Sequence, residues 1–163
     1  MVFNLVYMAK PIYGGWVTMT AHLSLKYDYP LYKITKRTEK TKRNFGYSVK
    51  YQNMNIEDIL KLDNILITAL DKHYYEYLDM FPDNTNIIMH DPNDYKNKDV
   101  LNFLKRCNVF TIRESVENHL QEIHNIKSVF KYHPFYEYNK NFYKNNINDN
   151  CISISRIDFD KHT

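Results

Sequence analysis

Short apolar runs alternate along the chain with segments in which apolar residues recur at helical spacing. The first run, residues 3–9, ends at Lys10-Pro11 and has the continuous apolar character of a strand that is buried on both faces. We therefore expect this strand near the centre of its sheet. A turn that holds Gly14-Gly15 follows it, and the apolar spacing over residues 16–26 predicts a helix.

The same alternation continues toward residue 132. Strands are predicted at residues 31–35, 47–51, 64–70, 86–90, 108–113 and 128–132, and helices at 56–62, 73–80, 99–107 and 114–123. Strands that alternate with helices are typical of parallel βαβ units. The chain is therefore predicted to be an α/β protein with a doubly wound, mostly parallel sheet and helices on both faces.

The alternation breaks at about residue 138. Residues 139–150 are dense in Asn, Lys and Tyr and have the composition of a linker. A further strand is predicted at residues 151–155. We therefore expect one α/β domain at residues 1–138, a linker at 139–150, and the start of a second domain at 151–163.

Composition narrows the possible classes of protein. The chain has 163 residues, of which 44% are hydrophobic and 15% aromatic, so disorder and small disulfide scaffolds are excluded. Its three glycines cannot build a P-loop or a full GxGxxG fingerprint. Cys107 and Cys151 are expected to be reduced thiols, and no apolar run reaches the length of about 20 residues that spans a bilayer. These features indicate a soluble, cytoplasmic protein.

Positive charge is concentrated in the first third of the chain. Residues 1–50 hold nine Lys and Arg against two acidic residues, although the net charge of the whole chain is only +3. Five of these cations fall in a short predicted loop, with Lys33 and Lys50 on either side of it. They are Lys36, Arg37, Lys40, Lys42 and Arg43. Such a loop is able to follow the phosphates of a nucleic acid, although most charge runs are simply solvated.

Polar residues and glycines follow four of the predicted strands. They are Gly14-Gly15, residues 69–72, His90-Asp91 and Arg113-Glu114-Ser115. In an open parallel sheet, ligands bind outside the carboxyl ends of the strands, at the point where the strand order reverses. The backbone N–H groups of Gly14-Gly15 are able to contact a phosphate or sugar at the positive end of a helix. The alternative is that the pair only forms a tight turn.

His90 and Asp91 end an otherwise apolar strand. Because adjacent strand residues point to opposite faces, one of the two is expected to face a cleft while the other orients a loop. The alternative is a solvent-exposed His90 beside an Asp91 that caps the next segment. Arg113 also closes a strand, whereas Glu114 is sufficiently explained by the dipole of the helix that it opens.

Five segments taken together resemble a known class of enzymes. In chain order they are YMAKPIYGGWVTMTAHLSL, NIIMHDPNDY, NVFTIRESVENHL, KYHPFYEY and SISRIDFDKHT. This order is similar to the N-terminal domain of GT-B fold glycosyltransferases, in particular the retaining group 1 enzymes of viruses and phages, which include DNA α-glucosyltransferases. In that class two Rossmann-like domains face each other across a cleft, and the nucleotide sugar binds mostly to the C-terminal one.

The resemblance implies a function and a set of site residues. The chain would belong to an enzyme that transfers a sugar from a UDP- or GDP-sugar to a hydroxyl of a glycan, protein or DNA. His90 and Asp91 would be catalytic, with His90 at the donor sugar and Asp91 orienting His90 or the acceptor. Donor and acceptor would also meet a second set of residues. These are Gly14, Gly15, Arg113, Arg156 and Lys161, of which the last two would clamp the diphosphate.

The resemblance further implies what the chain needs and lacks. No metal or other cofactor is expected, and a viral enzyme would work in the host cytoplasm. Most of the donor domain is missing from the 163 residues, so we expect weak or no activity without a donor-domain partner or a second copy. The competing hypothesis is a non-catalytic α/β module that binds nucleic acid through its basic loop. A receiver-type signalling domain is disfavoured by Lys10-Pro11, where such domains carry acidic residues.

Overall fold

Seven parallel strands form one sheet in the computed structural model, which describes residues 2–9, 15–35, 49–90 and 96–136. The strands are β1 Asn4–Met8, β2 Leu31–Ile34, β3 Gln52–Met54, β4 Ile65–Leu70, β5 Asn86–Met89, β6 Asn108–Thr111 and β7 Ser128–Phe130. The helices are α1 Gly15–Tyr27, α2 Ile56–Ile59, a 3-10 helix Lys72–Met80, α3 Lys98–Leu104 and α4 Glu114–His124.

The strand order is β3-β2-β1-β4-β5-β6-β7, and every neighbouring pair is parallel. The chain adds strands outward from β1 in one direction and then, beginning with β4, in the other. The order therefore reverses between β1 and β4, which makes this the switch point of the sheet. The predicted doubly wound α/β architecture is confirmed, and β1 lies inside the sheet as predicted.

Alternate residues of each strand serve two apolar layers. Val6, Met8 and Ile87 belong to the layer beneath the 3-10 helix, α3 and α4. Leu5 and Ile88 belong to the opposite layer, which α1 covers with Val17, Met19 and Leu23. Residues 131–136 also cross this second face, where Nδ1 of His22 lies 3.1 Å from the carbonyl oxygen of Pro134. We call the second face the α1 face.

Two predicted elements differ from those observed. The strand expected at residues 47–51 is instead Gln52–Met54, which pairs with β2 at the edge of the sheet. Gln52 and Asn53 are exposed, so this strand lacks the apolar alternation that would reveal it. The helix expected at residues 73–80 is a 3-10 helix, whose amino end is capped by the Asp71 side chain accepting from the backbone N–H of His73.

Several predictions lie outside the described residues. They comprise the linker at 139–150, the strand at 151–155, Gly14, Asp91, Arg156, Lys161, and the loop cations Lys36, Arg37, Lys40, Lys42 and Arg43. In the described part of the chain, no helix is long and apolar enough to cross a membrane.

Candidate functional site

His90 follows directly after β5 and is buried, with 8% of its surface exposed. It shares the α1 face with Ile88, two residues earlier in the same strand. Its ring meets that of Trp16, in the first turn of α1, edge to face at a centroid distance of 6.4 Å. His90 is therefore not the solvent-exposed histidine of the alternative interpretation.

The His90 ring is tied to the neighbouring strand β4. Its Nε2 lies 3.1 Å from the backbone carbonyl oxygen of Thr68. Because a carbonyl oxygen only accepts hydrogen bonds, this contact places a proton on Nε2. This contact directs the Nε2 side of the His90 ring to the backbone of β4.

Thr68 occupies a bulge in β4. Val6 of β1 pairs with Ile67, but the next residue, Tyr7, pairs with Ala69, so Thr68 is an extra residue in the ladder. The ladder on the other side of β4 joins Leu66 to Asn86 and Ile67 to Ile87. Bulges of this kind often lie beside functional sites, where they redirect single groups. Here the redirected group is the carbonyl that receives His90.

The hydroxyl of Thr68 points to α1. Thr20 Oγ1 lies 2.8 Å from Thr68 Oγ1 and 2.7 Å from the carbonyl oxygen of Trp16, and Thr68 Oγ1 lies 3.4 Å from the carbonyl oxygen of Val6. Both threonines are fully buried. These contacts connect the first turn of α1 to the two strands that flank the switch point.

Asp71 supplies a carboxylate at the switch point. It follows β4, donates its backbone N–H to the carbonyl oxygen of Met8 at 2.8 Å, and is only partly exposed. Tyr7, on β1, is fully buried beside it. Burial, and secondarily the charge of Asp71, raises the pKa of Tyr7 far above its ordinary value of 10.0. Tyr7 therefore keeps its phenolic proton at physiological pH.

Gly15 is the first residue of α1 and is exposed. A Cβ placed there would meet nothing within 4 Å, so the fold itself leaves room for a side chain. The N–H groups of a first helical turn have no partner within the helix. Space and donors are thus both present beside Trp16 and His90. The other half of the predicted pair, Gly14, is not among the described residues.

Arg113 lies at the same edge of the sheet. It lies two residues beyond the end of β6, the neighbour of β5, and the register that pairs Met89 with Thr111 puts it one residue past the position in step with His90. Arg113, Glu114 and Ser115 are all exposed, and the Arg113 side chain makes no capping bond to α4. Glu114 lies in the first turn of α4, where the helix dipole is sufficient to explain an acidic residue.

Other candidate chemistry has less support. Burial raises the pKa of the Cys107 thiol to about 12, so this cysteine is a poor nucleophile at neutral pH. Lys33, which flanks the basic loop in the sequence, lies in β2 and is only 5% exposed, so it is not part of a cationic surface. Among the described residues, no group of three or more His, Cys, Asp or Glu side chains is placed to hold a metal ion.

An apolar groove of about 290 Å³ lies elsewhere on the α1 face. Its walls include Met19, Leu23, Ile88 and Phe110, and neither His90, Asp71 nor Gly15 lines it. Its lining is mostly apolar, and its polar residues, which include Thr111 and Lys131, comprise none of the predicted site residues. We therefore place the candidate site at the carboxyl edge of the sheet and not in this groove.

No pattern in the sequence singled out Asp71, Tyr7, Thr20 or Thr68. Asp71 falls inside the segment 69–72 that the switch-point rule selected, so its position was indicated but its role was not. Thr68 is the one polar residue within Ile65–Leu70, which was a signal. The bulge at Thr68 has no signature in a single sequence, because it depends on the packing of β1 and α1 against β4.

Comparison of the chain with models of protein families, with curated proteins and with solved structures gave no match. The sheet topology defines a Rossmann-like α/β fold, which many unrelated functions share. Function must therefore be inferred from the carboxyl-edge cluster, by which we mean Tyr7, Gly15, Thr68, Asp71 and His90.

Proposed function

We propose that the chain is the acceptor-side domain of a GT-B type glycosyltransferase and that its substrates meet at the carboxyl-edge cluster. One observation carries the proposal: His90 is buried beside the first turn of α1, next to the switch point between β1 and β4. Ligands of open α/β sheets bind at this position. The segments that resemble the glycosyltransferases include those that supply His90 and Gly15.

The chemistry of the cluster suits a sugar that carries a diphosphate. A carboxylate and an imidazole are good partners for sugar hydroxyls, and Asp71 and His90 supply them. The N–H groups at the start of α1 favour a phosphate. In glycosyl transfer of this type, the enzyme chiefly positions donor and acceptor and stabilises the departing diphosphate. We assign the last task to Arg156 and Lys161, with Arg113 as a further cation at the edge.

The first test is binding of the donor. Thermal shift with a panel of UDP- and GDP-sugars should raise the melting temperature for at least one of them, because a ligand that binds only the folded state stabilises it. For that donor, release of the nucleoside diphosphate is then measured with glycan, protein and DNA acceptors. If the chain alone binds no donor, the assay is repeated with a donor-domain partner.

The second test is a matched pair of histidine variants. His90→Gln should reduce transfer at least tenfold, about 1.4 kcal/mol of transition-state stabilisation. His119→Gln, on α4, should leave it unchanged, since His119 packs against His124 and away from the carboxyl edge. Transfer at the unaltered rate by His90→Gln would overturn the assignment of His90.

The alternative of a nucleic-acid module is tested by the same protein. A module of this kind would bind DNA or RNA with an affinity that falls steeply with salt. Its candidate cations lie outside the described residues, and no contact of the described ones favours it. The glycosyltransferase proposal is therefore the one that we carry forward.

A further inference from the structure

We infer that Thr68 is a positioning residue that sets the placement of His90 relative to the first turn of α1. The backbone carbonyl and the side-chain hydroxyl of Thr68 contact different elements. Its carbonyl oxygen accepts from Nε2 of His90 at 3.1 Å, and its hydroxyl lies 2.8 Å from that of Thr20 on α1. The inference deepens the proposed function, and rests on it only for the identity of the ligand.

The bulge is what directs the carbonyl to His90. In a regular parallel ladder, the carbonyl of each residue is either bonded to one neighbouring strand or directed at the other. Thr68 has no counterpart in β1, because the pairing passes from Ile67 to Ala69. The last residue pair between β4 and β5 is Ile67 and Ile87. Thr68 comes directly after that pair, and its carbonyl contacts the His90 side chain.

The hydroxyl of Thr68 holds this bulge to α1. Thr20 has one hydroxyl proton and two acceptors, the Trp16 carbonyl at 2.7 Å and Thr68 Oγ1. Thr68 is able to donate its own proton to the Val6 carbonyl at 3.4 Å or to Thr20. Because both side chains are fully buried, loss of either hydroxyl leaves the other without water to replace it.

A ligand that contacts both His90 and the start of α1 contacts two groups that Thr68 holds in place. Trp16 and His90 are already in ring contact, so a small shift of either one changes the space between them. Thr68 therefore acts through His90 and α1, and does not itself touch the ligand. Catalytic positions held in this indirect way are sensitive to displacements of a fraction of an ångström.

The experiment is a nitrogen NMR measurement on protein labelled with ¹⁵N-histidine. The chain has seven histidines, and the signals of His90 are identified by their loss in His90→Gln. In the unaltered protein we expect His90 to have a protonated Nε2 in a single tautomer. Thr68→Val should shift or broaden these signals toward a mixture of tautomers, and Thr68→Ser should restore them.

Thr85→Val is the matched control. Thr85 is also buried, at 5% exposure, and its hydroxyl donates to the carbonyl of Pro82 at 2.6 Å, but it lies at the opposite edge of the sheet. This variant also removes the hydroxyl of a buried threonine, together with its hydrogen bond, and should leave the His90 signals in place. Unchanged His90 signals in Thr68→Val, or an equal change in Thr85→Val, would overturn the inference. If Thr68→Val does not fold, Thr20→Val and Thr20→Ser test the same link from α1.

A binding measurement adds a second readout. With UDP-glucose and GDP-glucose as probes, Thr68→Val should weaken binding about tenfold and Thr68→Ser should restore it. If the unaltered protein binds neither probe nor any other nucleotide sugar, alone or with a donor-domain partner, the proposed function fails. The nitrogen signals still decide whether Thr68 positions His90. The two ideas therefore fail in distinguishable ways.

Discussion

At the amino ends of the strands, polar side chains bond to the carbonyls of turns and helix ends, whereas at the carboxyl ends they converge beneath the start of α1. Arg106 donates to the carbonyl oxygens of Phe81 and Leu78 at 2.5 and 2.7 Å. Asn108 likewise donates to that of Asn84 at 2.9 Å. The bonds of the amino edge thus tie together the turns and helix ends that lead into the strands.

The turns at the amino edge also depend on asparagine. Asn64 and Asn84 precede β4 and β5 with φ values of 48° and 63°, a left-handed conformation that asparagine adopts more readily than most residues. At the carboxyl edge, in contrast, the bonds of His90, Thr68 and Thr20 join buried side chains beneath α1. Under the proposed function, we therefore expect the amino edge to affect chiefly stability and the carboxyl edge to affect chiefly binding.

Two arginines give the sharpest test of this comparison. Arg106 makes its carbonyl bonds while its guanidinium lies 5.0 Å from the Phe103 ring centroid and 3.0 Å from Asp83. Arg106→Ala should therefore lower the free energy of unfolding by about 2–4 kcal/mol, because carbonyls bonded to a cation lose their partner. Urea denaturation measures this loss, and donor binding by the folded fraction should be unaltered.

Arg113→Ala is the counterpart of that variant at the carboxyl edge. Arg113 is exposed and makes no capping bond, so its removal should change stability by less than about 0.5 kcal/mol. It should instead weaken donor or acceptor binding. The comparison between the two edges fails if Arg113→Ala unfolds the protein as readily as Arg106→Ala, or if Arg106→Ala abolishes binding while its stability is normal.

Tyr7 allows a second, smaller test, in which pH is varied. Burial and the nearby charge of Asp71 raise its folded-state pKa, so the folded protein holds the phenolic proton where the unfolded chain has lost it. Its contribution to stability is complete below the ordinary pKa of 10.0 and is lost as pH rises above it. The loss through this group is at most about 1.4 kcal/mol per pH unit.

Tyr7→Phe should remove that part of the alkaline loss. Urea denaturation between about pH 9 and about pH 11 should show a shallower decline than in the unaltered protein. Tyr132→Phe is the control, because Tyr132 is 85% exposed and its replacement should leave the slope unchanged. Equal slopes for Tyr7→Phe and the unaltered protein would mean that the phenol is not buried beside Asp71 as described.

The sequence predicted the carboxyl edge better than it predicted the contacts within it. Residues 3–9 and 64–70 are continuous apolar runs, and such runs specify central parallel strands whatever surrounds them. The order of strands and helices then placed His90 at the edge of the sheet. The predicted position of edge strand β3 was wrong by several residues, because exposed Gln52 and Asn53 give no periodic signal.

The bulge at Thr68 and its bond to Thr20 could not be predicted from the sequence, for a different reason. Thr68 in an apolar strand is compatible with a regular ladder or a bulge, and only the positions of β1 and α1 decide between them. The same holds for Tyr7, one of 15 tyrosines, because only the fold shows that it is fully buried beside Asp71. Local pattern gives the place of a site, and tertiary packing gives its geometry.

Substitution of Gly15 should have the smallest effect on the fold. It tests whether the carboxyl edge affects binding without affecting stability. Nothing lies within 4 Å of a Cβ at this position, so Gly15→Ala should be tolerated and should stabilise the free protein by about 0.5 kcal/mol through the unfolded chain. If a phosphate or sugar approaches the backbone at the start of α1, the added methyl should weaken its binding about tenfold. Thermal unfolding and titration with a nucleotide sugar, each with and without the substitution, measure both effects. Unweakened binding by Gly15→Ala would leave His90 and Asp71 in the candidate site and remove the start of α1 from it.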